Sequence, residues 1–162
     1  MHIAYLLLGG NTGNRGAMLE AARQGIQREV GEILRQSAIY ETAAWGKENQ
    51  ADFLNQAIEV ETALPARDLL AACLGIEAGL GRVRKETNGP RPIDIDILFF
   101  DHDVYHTPLL QVPHPRMPQR RFVLVPLAEL IPDYRHPQLH QSVGQLLEAC
   151  TDPLPVKKYN PS

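Results

Sequence analysis

Gly89-Pro90-Arg91-Pro92-Ile93-Asp94-Ile95-Asp96-Ile97-Leu98-Phe99-Phe100-Asp101 is the stretch on which the reading of this chain turns. Pro90 and Pro92 fix their own φ and push the residues before them towards extended backbone. The β-branched and aromatic run that follows has the composition of a strand. Side chains alternate faces along a strand, so Asp94 and Asp96 share one face. Ile95, Ile97 and Phe99 are expected on the other face, in a core. Two carboxylates so placed stand roughly 6–7 Å apart. Their mutual repulsion is relieved by a divalent cation between them. Mg²⁺ in particular takes one or two carboxylates and completes its shell with substrate phosphates. Arg91 just upstream carries a planar fork suited to phosphate oxygens. Taken alone, the same Asp-x-Asp is equally a solvated strand edge.

Working upstream, Arg82-Val83-Arg84-Lys85-Glu86-Thr87-Asn88 is a loop that no apolar pattern holds down. It reads as a basic lid that feeds straight into the acidic strand. Before it, a helix opens at Leu64-Pro65-Ala66 with Leu69, Leu70, Cys73, Ile76 and Leu80 as its apolar stripe, and Gly79 and Gly81 end it. At ~100° per residue Glu77 falls inside that stripe. A carboxylate there is costly unless it is paired or hydrogen-bonded. It either snorkels to water from the helix end or faces a site or a basic partner. Further back, residues 55–62 alternate as a strand, and 42–50 form a loop with the only Trp, Trp45. Residues 33–41 make another strand. Residues 15–30 make a helix with Leu19, Ala22, Ile26 and Val30 on one face. Ile3 to Leu8 is apolar on both faces, as in a strand that is covered on both sides or paired centrally. The turn Gly9-Gly10-Asn11-Thr12-Gly13-Asn14 is neither a P-loop nor Gly-x-Gly-x-x-Gly, and reads as a tight strand-to-helix turn.

Downstream, 104–105 and 109–112 suggest a short hairpin. Pro113 to Phe122 is a Pro-locked loop with His114, Arg116, Arg120 and Arg121. A short helix is expected around Pro126. Ser142-Val143-Gly144-Gln145 is a capping box that starts another helix. The tail after about 151 is expected to be irregular. The order β-α-β-β-α-β matches the ferredoxin-like split βαβ plan. The expected fold is α+β: an antiparallel sheet with helices on one face, the other face left for a ligand, and a C-terminal extension at one edge.

Composition bounds the function. The chain has 162 residues, 44% hydrophobic and 22% charged, which fits one globular domain, 1–162. The net charge of −3 gives no global positive field for nucleic acid or an anionic membrane. The cations are instead clustered at 82–91 and 116–121, which suggests a compact anionic ligand. Cys73 and Cys150 belong to no zinc spacing and read as incidental thiols in a reducing cytosol. The apolar run at 3–8 is too short for a signal segment, and no run approaches a membrane span. The protein is expected in the cytoplasm, as a monomer or dimer.

Several motifs occur in one order: the first strand running into Gly-Gly-Asn, Tyr-x-Thr at 40–42 with Gly46, Asp-Phe-Leu-Asn at 52–55, and Ile76-Glu77. They continue with Gly-Arg-Val-Arg-Lys at 81–85, Gly-Pro-Arg-x-x-Asp-x-Asp-Ile at 89–97, Val-Pro-His at 112–114 and Arg-x-Phe at 120–122. In this the sequence resembles 6-hydroxymethyl-7,8-dihydropterin pyrophosphokinase (HPPK), a folate-pathway enzyme, over about residues 3–140. The resemblance implies transfer of the β,γ-diphosphate of ATP to the pterin hydroxymethyl oxygen, with AMP leaving. It implies that Asp94 and Asp96 hold two Mg²⁺ ions, and that Arg82 and Arg91 stabilise charge during transfer. Glu77, Arg84, Ile97, His114 and Arg120 would serve ATP. Thr42, Trp45, Phe53, Asn55 and Phe122 would hold the pterin, the two phenylalanines stacking on its ring. Among departures from the family pattern, Ala43-Ala44 stand where two prolines are frequent. Asp-x-Asp alone also permits another Mg²⁺-dependent phosphotransferase or hydrolase. The fold plan is shared with RNA-binding modules, but their aromatic-basic motif is absent here.

Overall fold

A computed structural model describes residues 1–43, 51–81 and 92–160. Its centre is an antiparallel sheet. β1 (His2–Gly10) lies between β5 (Asp94–Phe100) and β4 (Phe53–Thr62). Along the far edge of β4 run β2 (Gly31–Gln36) and β3 (Tyr40–Thr42), which pair with its two halves in turn. From Leu54 to Val60, β4 is buried without a break, and β1 is buried from Ala4 onward. These two central strands are covered on both faces, which is why Ile3 to Leu8 carries no polar alternation.

One face is covered by α1 (Arg15–Glu29) and α2 (Ala66–Gly79). Asn14 caps α1, its side chain accepting from the Ala17 amide at 3.1 Å. Leu19, Ala22 and Ile26 of α1 meet Leu69, Cys73 and Ile76 of α2 over Leu6, Leu8, Ile58, Ile95 and Ile97 of the sheet. The chain turns from α1 into β2 at Gly31, where a Cβ would overlap the Glu61 carbonyl oxygen.

The second face is not left open along its length, contrary to the expectation of helices on one side only. α3 (Arg121–Leu130) and α4 (Val143–Ala149) pack there. Val123, Leu124 and Leu127 with Val143 and Leu146 close a second core over Tyr5, Leu7, Ala57, Leu98 and Phe99. The physical reason is the apolar content of β1 and β4 on that face, which solvent does not tolerate uncovered. The capping box at Ser142 is present in full. Between β5 and α3 lie a short ladder of β6 (Tyr105–His106) and β7 (Gln111–Val112) and a single 3₁₀ turn, Met117–Gln119.

Two further expectations are corrected. Phe99 does not share a core with Ile95 and Ile97. The register runs Leu6 to Ile97 but Tyr5 to Phe99, so Leu98 is an extra residue, a bulge. Leu98 and Phe99 therefore both enter the second core, and Phe100 returns to the first. The tail is not wholly irregular either. β8 (Lys157–Lys158) adds a short strand beside Tyr40 and Glu41, and the Tyr159 amide donates to the Ile39 carbonyl at 2.8 Å.

Candidate active site

Three neighbouring strands lay the floor of a cleft on the second face. The register sets Asp94 of β5 opposite Gly9 of β1, and Gly9 opposite Asn55 of β4. The next row is Asp96, Leu7 and Ala57. Neighbouring strands are ~4.8 Å apart, so about 10 Å of floor separates the acidic strand from Asn55. Gly9 is the low point of that floor. A Cβ there would lie 2.5 Å from Asn55 Oδ1. Asn55 is 4% exposed, and its Nδ2 donates to Thr42 Oγ1 at 3.3 Å. Thr42 is itself buried, and pairs across the ladder with Phe53.

The walls come from Phe53 at the start of β4 and from the entry to α3. There the Arg120 guanidinium lies 5.7 Å from the centre of the Phe122 ring, within cation–π range. With Ala43, these residues line an open-mouthed cleft, the kind of concave surface that small molecules occupy. One end presents aromatic faces and the buried Thr42–Asn55 pair. The acidic strand presents two carboxylates, and the Arg120 guanidinium lies beside the Phe122 ring. Such a site suits a flat heterocycle with a hydrogen-bonding edge that is joined to, or meets, an anionic group.

The structure thus brings together seven residues that the sequence points to: Thr42, Phe53, Asn55, Asp94, Asp96, Arg120 and Phe122. Trp45, Arg82, Arg84 and Arg91 lie outside the described residues. Three others do not line the cleft. Ile97 points into the first core among α1 and α2. Glu77 is 6% exposed, so it does not snorkel to water, and its Oε2 accepts from the Ile95 amide at 2.6 Å. Among the described residues β5 is the edge of the sheet, so amides that point away from β1 need partners from elsewhere. The buried carboxylate of α2 supplies one, between the two aspartates of the strand. His114 is tied by its backbone amide to the Leu98 carbonyl at 3.2 Å. Burial, with Arg120 and Arg116 nearby, pushes its imidazole down to about 4, so it is neutral at pH 7. Burial, with Glu77 and Asp96 adding to it, pushes the Cys73 thiol up to about 12, which makes it inert.

Gly9 and Leu7 were not marked by sequence reasoning as parts of the site. The Gly-Gly-Asn motif was visible, but only strand register shows that its first glycine is floor rather than turn.

The donor set at the acidic end fits a hard divalent cation. Asp94 and Asp96 are oxygen ligands, partly exposed and lining one cleft. Among the described residues no group of three or more His, Cys, Asp and Glu side chains could hold a metal. Two carboxylates leave coordination positions for phosphate oxygens and water, as Mg²⁺ requires.

Comparison with known proteins adds to this geometry. The sequence profile of the family 7,8-dihydro-6-hydroxymethylpterin-pyrophosphokinase (HPPK) matches residues 5–132. The 2-amino-4-hydroxy-6-hydroxymethyldihydropteridine pyrophosphokinase of Porphyromonas gingivalis is 43% identical over 144 residues, covering 85% of this chain and 96% of that protein. The Bacillus subtilis protein of the same name is 45% identical over 130 residues, covering 80% of this chain and 78% of that protein. Among solved structures, wild-type HPPK-DHPS of Plasmodium falciparum superposes with a TM-score of 0.75 at 19% identity, over 91% of this chain. That likeness is one of fold, and this chain spans 44% of the solved chain's length.

Proposed function

The chain belongs to the 7,8-dihydro-6-hydroxymethylpterin-pyrophosphokinase family, and from that premise we propose how its cleft carries out the reaction. The activity is the transfer of a diphosphate from ATP to 6-hydroxymethyl-7,8-dihydropterin in folate biosynthesis. The single observation that carries the site assignment is the convergence of Phe53, Phe122, Thr42, Asn55, Asp94, Asp96 and Arg120 on one cleft from four separate segments.

In this reading the pterin ring lies between Phe53 and Phe122, where offset stacking suits a flat heterocycle. Asn55 and Thr42 read its hydrogen-bonding edge from a buried position, so a ring lacking that edge leaves them unpaired and is rejected. The hydroxymethyl group then points along the floor, past Gly9, towards β5. Asp94 and Asp96 would hold Mg²⁺, which when bound neutralises phosphate charge. Arg120 binds the phosphate chain beside them. The hydroxymethyl oxygen attacks the β-phosphorus in line and gives up its proton to solvent, the bond from that phosphorus to the AMP oxygen breaks, and AMP leaves. Positioning and charge stabilisation account for most of such a transfer. The roles of Arg82, Arg84, Arg91 and Trp45 rest on the sequence resemblance alone. Glu77 acts from behind β5 as a support for the acidic strand.

The strand order, with β1 between β5 and β4 and with β2 and β3 sharing the outer edge, supports a ferredoxin-like reading in which β2 and β3 count as one interrupted strand. Both cores are built on that one sheet, which supports a single catalytic domain. Among the described residues, no helix is long and apolar enough to cross a membrane.

A product assay tests the function. With ATP, Mg²⁺ and 6-hydroxymethyl-7,8-dihydropterin the protein should release AMP in step with pterin diphosphate. Release of ADP, or AMP formation without the pterin, would refute it.

A further inference from the structure

α3 begins beside the cleft with no cap of its own. Its N-cap residue, Arg120, makes no side-chain capping bond. The cap comes from the tail, 31 residues on. Asp152 Oδ2 accepts from the Arg121 amide at 3.0 Å, and its Oδ1 accepts from the Leu154 amide at 3.0 Å. Arg121 reciprocates with its side chain. Its Nε donates to the Asp152 carbonyl at 3.1 Å and its Nη2 to the Cys150 carbonyl at 2.9 Å. Asp152 is 7% exposed. A buried carboxylate is tolerated only when hydrogen-bonded, and these bonds go to the first amide of α3 and to the tail itself. Negative charge at a helix N-terminus is further favoured by the helix dipole.

The residues on either side of Arg121 are Arg120 and Phe122, and both line the cleft. The far end of α3 is held separately. Glu129 accepts from Tyr40 Oη at 2.5 Å, and Arg35 donates to the Leu130 carbonyl at 2.8 Å. Val123 and Leu124 seat the first turn in the second core, and the tail holds its N-terminal residue, Arg121. Ring stacking and near-attack geometry are both lost over displacements of about 1 Å, so the clamp bears on binding as well as stability.

We propose that Asp152, acting with Arg121, is a positioning residue for the pterin pocket: it caps α3 from the tail and so sets where Phe122 and Arg120 stand. The inference rests on the assignment of Phe122 to the pterin in the preceding section.

The test is steady-state kinetics on the full chain, with folding checked by circular dichroism and thermal melts, for D152A, D152N and F122A. D152A should raise KM for the pterin roughly three- to tenfold, equivalent to ~0.7–1.4 kcal/mol of binding at ~1.4 kcal/mol per factor of ten. D152N keeps one side-chain oxygen for the Arg121 amide but loses the acceptor of the Leu154 amide, so it should restore KM in part, to a value below that of D152A. A residue with only a stabilising role would lower the melting temperature and leave KM at the wild-type value. That outcome for D152A, or a D152N no better than D152A, would overturn the proposal while F122A raises KM. If F122A leaves KM unchanged, the pocket assignment itself fails, and the clamp proposal with it. Should D152A not fold, R121Q removes the two side-chain bonds and keeps the amide cap. It should raise pterin KM in the same direction, and an unchanged KM would overturn the proposal.

Discussion

Replacing Gly9 by alanine separates binding from folding more cleanly than any truncation in the cleft. In most strand interiors Gly→Ala is favourable by ~0.5–1 kcal/mol, because glycine loses more backbone freedom on folding. At Gly9 the added methyl would stand 2.5 Å from Asn55 Oδ1. No real Cβ contact is so short, so one of the two groups must move. β1 is the middle strand of the floor, hydrogen-bonded on both sides, and does not yield. The Asn55 side chain does, since its amide is the far end of a rotatable group. Rotation breaks its 3.3 Å bond to Thr42 Oγ1 and turns a buried amide off the cleft. The expected stability change is therefore small, within ~1 kcal/mol, as the backbone gain offsets the lost bond. The expected loss in pterin recognition is ~1–3 kcal/mol, the cost of an unmade buried hydrogen bond. At ~1.4 kcal/mol per factor of ten this predicts a KM for the pterin raised about 5- to 150-fold. The assay is KM for the pterin at saturating ATP, KM for ATP at saturating pterin, and a urea melt. A G9A protein of wild-type stability and wild-type pterin KM would refute both the close approach and the role of Asn55.

Three further outcomes follow from the same geometry. D96N should lower turnover on the order of 100-fold or more and shift the Mg²⁺ titration to higher concentration, as expected when one carboxylate of a metal pair is lost; near-normal activity at low Mg²⁺ would remove the metal role. E77A should destabilise the fold by ~1–3 kcal/mol in a denaturant melt, because the Ile95 amide is left buried and unpaired, whereas E77Q keeps an acceptor and should lose less. The His114 pKa lies below the ordinary ~6.5 of an unfolded chain, so between about 4 and 6.5 the unfolded state binds the extra proton. Stability should fall as pH drops through that window, with a slope of at most ~1.4 kcal/mol per pH unit from this group, and H114Q should flatten it.

The parts of the fold set by local patterning were legible. β1 was apparent as a continuous apolar run, α1 from the spacing of Leu19, Ala22 and Ile26, and α4 from the Ser142 capping box. What was not legible depends on pairing between distant segments. The Leu98 bulge exists only relative to β1, so no pattern inside 93–101 shows that Phe99 changes sides. The strand Lys157–Lys158 has no strand composition, and forms because β3 offers it an open edge. A short helix around Pro126 was visible, but which face of the sheet it covers was not, because Tyr5, Leu7 and Ala57 are no more apolar than Leu6, Leu8 and Ile58.

The candidate site divides along the same line. Asp94 and Asp96 reach one cleft through alternation on a single strand, which neighbouring residues in the chain specify. Phe53, Asn55, Arg120 and Phe122 join them only through the folded register. Glu77 shows why residue type is insufficient. An acidic residue inside an apolar helical stripe is costly in any position, and the cost is met equally well by a substrate, a cation or a backbone amide. Among the described residues β5 is an edge strand, and its Ile95 amide is one partner that Glu77 has. The Glu77 carboxylate accepts from the Ile95 amide, between the two aspartates of the acidic strand, and does not line the cleft. The same reasoning applies to Asp152, whose carboxylate meets a helix amide rather than a ligand. In both cases a buried acid outside the cleft lining holds the backbone of a residue next to one that lines it, so the cleft's geometry depends on charges placed behind its walls.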